Sequence, residues 1–152
     1  MKLNIILLIF SLIALKDELN LGDKLLKKDV VGIENLLIFP SQMEDCYIIK
    51  KENIIYDVTI TKDSIINYIT TNDVKFKTTE GYKVGSCYKD IKSSKFIIWN
   101  GWGRFINLNS GWNAVFKDES LNDNSKVLFF FKFNKKLGKT KKKDNLNIKF
   151  KF

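Results

Sequence analysis

Apolar and polar positions alternate with a period of two along much of this chain, the signature of half-buried strands. The cleanest case is Ile54–Thr61, where Ile54, Tyr56, Val58 and Ile60 share one side and Asp57, Thr59 and Thr61 the other. Cys46–Lys50 precedes it across a polar Lys51-Glu52-Asn53 turn, and Ile65–Thr70 follows after Lys62-Asp63-Ser64. A second meander runs through Lys95–Trp99, Trp102–Leu108, Trp112–Phe116 and Val127–Phe133, the last with Val127, Phe129, Phe131 and Phe133 on one side. Asn100-Gly101 predicts a two-residue hairpin, because both central residues of such a turn must tolerate positive φ. Asn109-Ser110-Gly111 predicts a three-residue turn with Gly in the left-handed position, and Asp118–Ser125 a loop.

Each meander is led in by a glycine turn and a short helical segment. After Leu21-Gly22, Asp23 can cap a helix whose apolar side is Leu25, Leu26 and Val30. A looser region follows, in which Pro40, the single proline, breaks any helix. The polar connector Asn72–Gly85 ends in a second glycine turn, and Ser86 can cap a helix through about Lys92. This likeness between the stretches 21–71 and 72–134 suggests duplication of one helix-plus-meander unit. The expected fold class is therefore α+β: antiparallel β-meanders with short helices on one face, arranged as two tandem repeats.

Met1-Lys2 and the apolar run Leu3–Leu15 have the charge and length of a signal peptide, and the run is too short for a free-standing membrane span. A buried N-terminal strand or helix is the alternative. The leader, residues 1–15, points to bacterial export, periplasmic or extracellular, of a soluble domain spanning 16–134. Lys16-Asp17-Glu18-Leu19 is internal and cannot act as a C-terminal retention signal.

The chain carries a net charge of +9, which invites a nucleic-acid partner, but its location argues against one. Residues 132–152 hold 9 Lys and one Asp, whereas the remainder balances 17 basic against 16 acidic groups. A phosphate-binding fold needs its positive stripe on a structured face. Here the basicity belongs to the lysine-rich tail, 135–152, whose weak attraction for anionic membrane or other polyanions is a secondary reading. The tail ends in Asn145–Phe152, which alternates like a strand and could pair with a sheet edge.

Catalytic chemistry finds little support. With no histidine in the chain, the commonest general base and the commonest metal ligand are both missing. No G-x-S-x-G is present, no S-x-x-K opens a helix after a strand, and Gly81-x-x-x-Gly85-Ser86 lacks the lysine of a phosphate loop. Asp73, Glu80, Asp90, Asp118 and Glu119 lie in polar connectors or beside lysines, with nothing to pair two of them in an apolar cleft as a glycosidase requires. No cofactor is implied. Cys46 and Cys87 cannot form a zinc site alone. In an oxidising compartment they are candidates for one disulfide, and in a reducing one they are small buried side chains.

The best candidate surface is Trp102, Arg104 and Trp112. Trp102 and Arg104 are two apart on one strand and share a face, and Trp112 lies on the neighbouring strand within cross-strand reach. Aromatics flanking the single arginine of the chain make a platform for a sugar ring, a carboxylate or a partner loop. Packing alone is the plainer explanation: Arg104 stacked on indoles or paired with a carboxylate. Glu80, in the turn up to Gly85, would support the surface.

The segment Phe76–Ser86, with its Thr78-x-x-Gly81-x-x-x-Gly85 turn, a short helix and then strands containing Ser110-Gly111-Trp112, resembles small exported bacterial domains in which such a turn opens a helix packed on a meander. More distantly, the chain is similar to the tandem helix-plus-sheet arrangement of β-lactamase-inhibitor-like proteins and small outer-membrane assembly lipoproteins. The resemblance covers about Ile65–Phe116 and implies a non-catalytic role. The chain departs from the lipoproteins in having no lipidation cysteine after the leader, and the first repeat's turn is degenerate. Together these readings predict an exported, non-enzymatic module that binds another macromolecule, a protein rather than nucleic acid. The alternatives are a structural cell-envelope protein and polyanion binding through the tail.

Overall fold

The computed structural model describes residues 18–39, 42–91, 96–99, 103–117 and 121–134. The leader, Pro40, the Asn100-Gly101 turn, Trp102 and the lysine-rich tail with its alternating end lie outside the described residues. The described chain is built on eight strands: β1 (Val30–Phe39), β2 (Gln42–Lys51), β3 (Ile54–Ile60), β4 (Ile66–Thr71), β5 (Phe96–Trp99), β6 (Gly103–Asn107), β7 (Asn113–Phe116) and β8 (Val127–Phe133). They form one antiparallel sheet in the order β1-β2-β3-β4-β8-β7-β6-β5. Two four-stranded meanders thus join through their last strands.

Helix is scarce: a 3-10 turn at Lys27–Asp29 and one α-helical turn, α1 (Tyr88–Ile91), among the described residues. The fold is mainly antiparallel β, and the helices expected on one face shrink to single turns. Segments this short cannot repay helix nucleation by themselves. Moreover, Ser86 does not cap α1: its Oγ accepts the Lys83 N–H at 3.0 Å, tightening the turn before it. The predicted helix after Asp23 gives way at Val30 to a ten-residue strand, VVGIENLLIF, because β-branched side chains favour extended backbone.

Both faces of the sheet are buried. On the first, Ile49, Tyr56, Val58, Ile69, Ile106, Trp112, Phe116 and Phe130 pack beneath Phe76 and Ile91 of the connector and Leu19 of the N-terminal segment. Each fully buried large apolar side chain contributes about 2 kcal/mol. The second face gathers Ile38, Cys46, Tyr68, Phe105, Val115 and Phe131 into another cluster. That cluster spans β1 to β6, which a flat sheet would hold about 29 Å apart at ordinary strand spacing; the sheet is curled.

A bulge divides β8 between the two faces. Val115 pairs with Phe129 but Phe116 pairs with Val127, so the phase slips at Leu128. Val127 and Phe130 join the first core, and Phe129, Phe131 and Phe133 the second. The expectation that Val127 shares a side with the three phenylalanines is corrected accordingly, since one extra residue reverses every side chain beyond it.

The two meanders begin alike. Gly22 N–H donates to Ile66 O, Ile66 N–H to Asp23 O and Leu25 N–H to Ser64 O; Gly85 N–H donates to Val127 O, Val127 N–H to Ser86 O and Tyr88 N–H to Ser125 O. Both glycines have positive φ, 94° and 86°. The slip at Leu128 has its counterpart at Asn67, where Thr59 pairs with Tyr68 but Ile60 with Ile66.

Candidate functional site

Of the three-residue platform predicted from sequence, Trp102 lies outside the described residues, and Arg104 and Trp112 do not come together as a surface. Trp112 follows the Gly111 turn and enters the first core, where it is 0% exposed. Its Nε1 donates to Glu18 Oε1 at 3.1 Å, the Phe76 ring stands 4.7 Å away, and Lys132 Nζ lies 4.6 Å over the indole. Lys132 Nζ is also 3.5 Å from Glu18 Oε1. Trp112 is therefore a core residue and not a contact residue. Arg104 pairs with Phe116 across β6 and β7, four positions along the strand from Trp112, or about 13 Å.

The β5–β6 register pairs Trp99 with Gly103, so three residues separate the paired positions where a two-residue Asn100-Gly101 hairpin predicted a Trp99–Trp102 pair. Gly103 has φ 95°, and a Cβ there would meet the Phe116 carbonyl oxygen at 2.7 Å. No other residue fits that position without strain.

Glu80 is a brace. Its Oε1 accepts the Ser110 N–H at 2.6 Å, tying the connector to the β6–β7 turn. Burial pushes the Glu80 carboxyl up, but hydrogen bonds from Ser110 outweigh it and hold the group below the usual range. Asp73 braces its own loop in the same way, accepting the Lys75 and Ile55 N–H groups, each at 2.9 Å, and these bonds hold its carboxyl low.

Cys46 and Cys87, the candidates for one disulfide, are both free thiols. Cys46 belongs to the second cluster, whereas Cys87 leads into α1, whose Ile91 packs on the first. The sheet stands between them. Burial, then the charges of Asp57, Glu34 and Glu44, push the Cys46 thiol up to about 12, which keeps it protonated and inert. Lys126 Nζ donates to Cys87 Sγ at 2.8 Å.

Glu18, Lys51, Glu52, Tyr56, Phe76, Lys77 and Thr79 line a cavity of about 20 Å³, which is room for a single water. Burial, then Glu18, Glu52 and Asp73, push the Tyr56 hydroxyl up to about 12, so it stays neutral. Among the described residues, no group of three or more Cys, Asp or Glu could hold a metal ion.

The feature that sequence reasoning missed is β1. It sits at one end of the sheet and pairs only with β2 among the described strands. Between slips at Val30/Gly32 and Leu37/Phe39 its register is regular. Val31 and Ile33 are each 63% exposed. Glu34 is its one charged residue, and it contains no lysine or proline, the usual guards of an open edge. The other edge, β5, has only four residues. A stretch with apolar residues at nearly every position has no alternation to mark it as a strand; its length between Asp29 and Pro40 was the available signal.

No family model matches the chain, and no curated protein matches it. Among solved structures, the uncharacterized protein YfeY from Escherichia coli is similar over 68% of this chain and 77% of that one, at 14% identity and a TM-score of 0.46. A likeness at that level assigns no function.

Proposed function

We propose that this chain is an exported, non-enzymatic binding module that takes an extended segment of a partner protein onto the open edge of β1. One observation carries the reading: a ten-residue strand that pairs with β2 alone among the described strands, with Val31 and Ile33 in solvent and no lysine or proline in its own sequence. Such an edge offers backbone N–H and C=O groups to an added strand. The regular run Gly32–Leu37 would make about six backbone hydrogen bonds. At a net ~1 kcal/mol each these bonds amount to about 6 kcal/mol, a Kd no tighter than about 40 μM, and lost freedom on association makes a short generic peptide bind more weakly than that.

The test is a capped nine-residue peptide of alternating threonine and valine, titrated into the full chain by fluorescence anisotropy. Binding is expected, together with its loss in Ile33→Lys, which leaves the melting temperature unchanged because the side chain is mostly solvated. Failure of the peptide to bind, or equal binding by Ile33→Lys, overturns the reading. A purely structural envelope role is the competing reading, favoured by the burial of Trp112, and a chain that binds no peptide is left with it. Export rests on the 1–15 leader, and N-terminal sequencing of secreted material that begins at Met1 would refute cleavage there.

The finer architecture is part of the same proposal: two tandem units, 21–71 and 72–134, each a glycine turn, a helical turn and a meander. The recurring hydrogen bonds of Gly22 and Gly85 and the matched slips at Asn67 and Leu128 support it. With an offset of 61 between the halves, the β4–β8 pair Thr70–Phe131 maps onto itself, and Ile69–Lys132 exchanges with Thr71–Phe130. That is the pattern of a two-fold axis through the junction.

A further inference from the structure

The open edge of β1 has an acidic rim. Glu34 pairs with Cys46 on β2, and Asp57 of β3 pairs with Ile48 two residues further along β2. Glu34 and Asp57 therefore flank β2 on one face of the sheet, where burial and then the nearby Glu34 charge push the Asp57 carboxyl up. Glu44 and Cys46 of β2 are close enough for the charges of Glu34, Glu44 and Asp57 all to act on the Cys46 thiol. From β4, Thr70 pairs opposite Asp57, and Tyr68 is buried on this face. Among the described residues, no lysine or arginine makes an ion pair with Glu34 or Asp57.

Resting on the strand-addition reading above, we infer that the partner segment carries a lysine or arginine that lands opposite Glu34, flanked by apolar residues. In an antiparallel pair, the residue opposite Glu34 projects to the same face with its Cβ about 5 Å away. Its neighbours project to the other face, beside the exposed Ile33. A cation there meets two carboxylates with which no lysine or arginine makes an ion pair among the described residues. An acidic residue would add a third negative charge to the pair. The ligand is thus an extended apolar segment with a basic residue at its centre.

The experiment compares three versions of the capped threonine–valine peptide, with lysine, threonine or glutamate at the centre, on the full chain at pH 7.5 and low salt. The lysine peptide is expected to bind about tenfold more tightly than the glutamate peptide, with the threonine peptide between and the difference shrinking in 0.5 M salt. Glu34→Gln should bring the lysine-to-glutamate ratio close to one, and Glu34→Lys should invert it. The whole chain carries +9, so a general field would favour the glutamate peptide; a lysine preference has to arise locally. Equal binding of all three peptides, a preference for glutamate, or a lysine preference that survives Glu34→Lys overturns the inference and leaves strand addition standing. No binding of any peptide overturns both.

Discussion

Removing the carboxylate of Glu18 tests how the N-terminal segment is held to the sheet. Glu18 Oε1 accepts from Trp112 Nε1 at 3.1 Å and lies 3.5 Å from Lys132 Nζ, and the Lys132 side chain is only 11% exposed. Glu18→Ala strands both partners. A buried indole N–H without an acceptor costs about 1–2 kcal/mol. The lysine loses its counter-ion at a site that is mostly dry, although the Glu18 side chain is 30% exposed, which screens the pair and holds this part to about 1 kcal/mol. The expected loss is therefore about 2–3 kcal/mol, or a fall in Tm of about 5–10 °C for a chain of this size.

Lys132→Met should behave differently. It removes the buried cation, keeps the stem over the indole and leaves the Trp112–Glu18 hydrogen bond, so the expected loss is under about 1 kcal/mol. Urea unfolding followed by tryptophan fluorescence, on both single variants and the double variant, measures the asymmetry and the coupling. A Glu18→Ala loss below about 0.5 kcal/mol would show that residue 18 does not hold Trp112. Equal losses in the two single variants would show that ion-pair strength, rather than stranded partners, controls the site.

Burial first, and then Glu34, push the Asp57 carboxyl up to about 6. A raised acid binds its proton more tightly when folded, so its contribution is fullest below the unfolded value and is lost as pH rises between about 4 and 6. After allowance for solvent screening, urea midpoints at pH 5 and 7.5 should differ by about 1 kcal/mol in favour of pH 5, and Asp57→Asn should flatten that step. Iodoacetamide should label Cys87 in the native protein and Cys46 only after unfolding, as read by peptide mass spectrometry; native labelling of Cys46, which is 0% exposed, would contradict the second core. Gly103→Ala should lower stability by about 2 kcal/mol or more, because a positive φ and a 2.7 Å approach to a backbone oxygen leave nothing flexible to yield; a Tm within 1 °C of the parent would refute the close approach of Gly103 to the Phe116 carbonyl.

The strands that alternate were legible in sequence. Ile54–Thr61 and Val127–Phe133 were placed to within a residue because one side of each was apolar and turn residues bounded them. Gly111 marked its turn, as positive φ requires. The pairing of β5 with β6 was legible too, though not its register, which sets Trp99 opposite Gly103 rather than Trp102. β1 escaped because Val30–Phe39 is apolar on both sides and carries no period. The candidate site was misread for a related reason: shared side and neighbouring strand do not reveal distance along the strand, and that distance parts Arg104 from Trp112.

Local chain chemistry, then, determined the two meanders, the turns between most of their strands and the absence of histidine chemistry, because alternation and glycine act within a few residues. The tertiary structure decided the rest. Only packing brings Glu18 to Trp112 across 94 positions, sets Cys46 and Cys87 on opposite sides of the sheet, and joins β4 to β8 so that β1 is left at an edge. These depend on which surfaces meet after the sheet curls, and no local pattern records that.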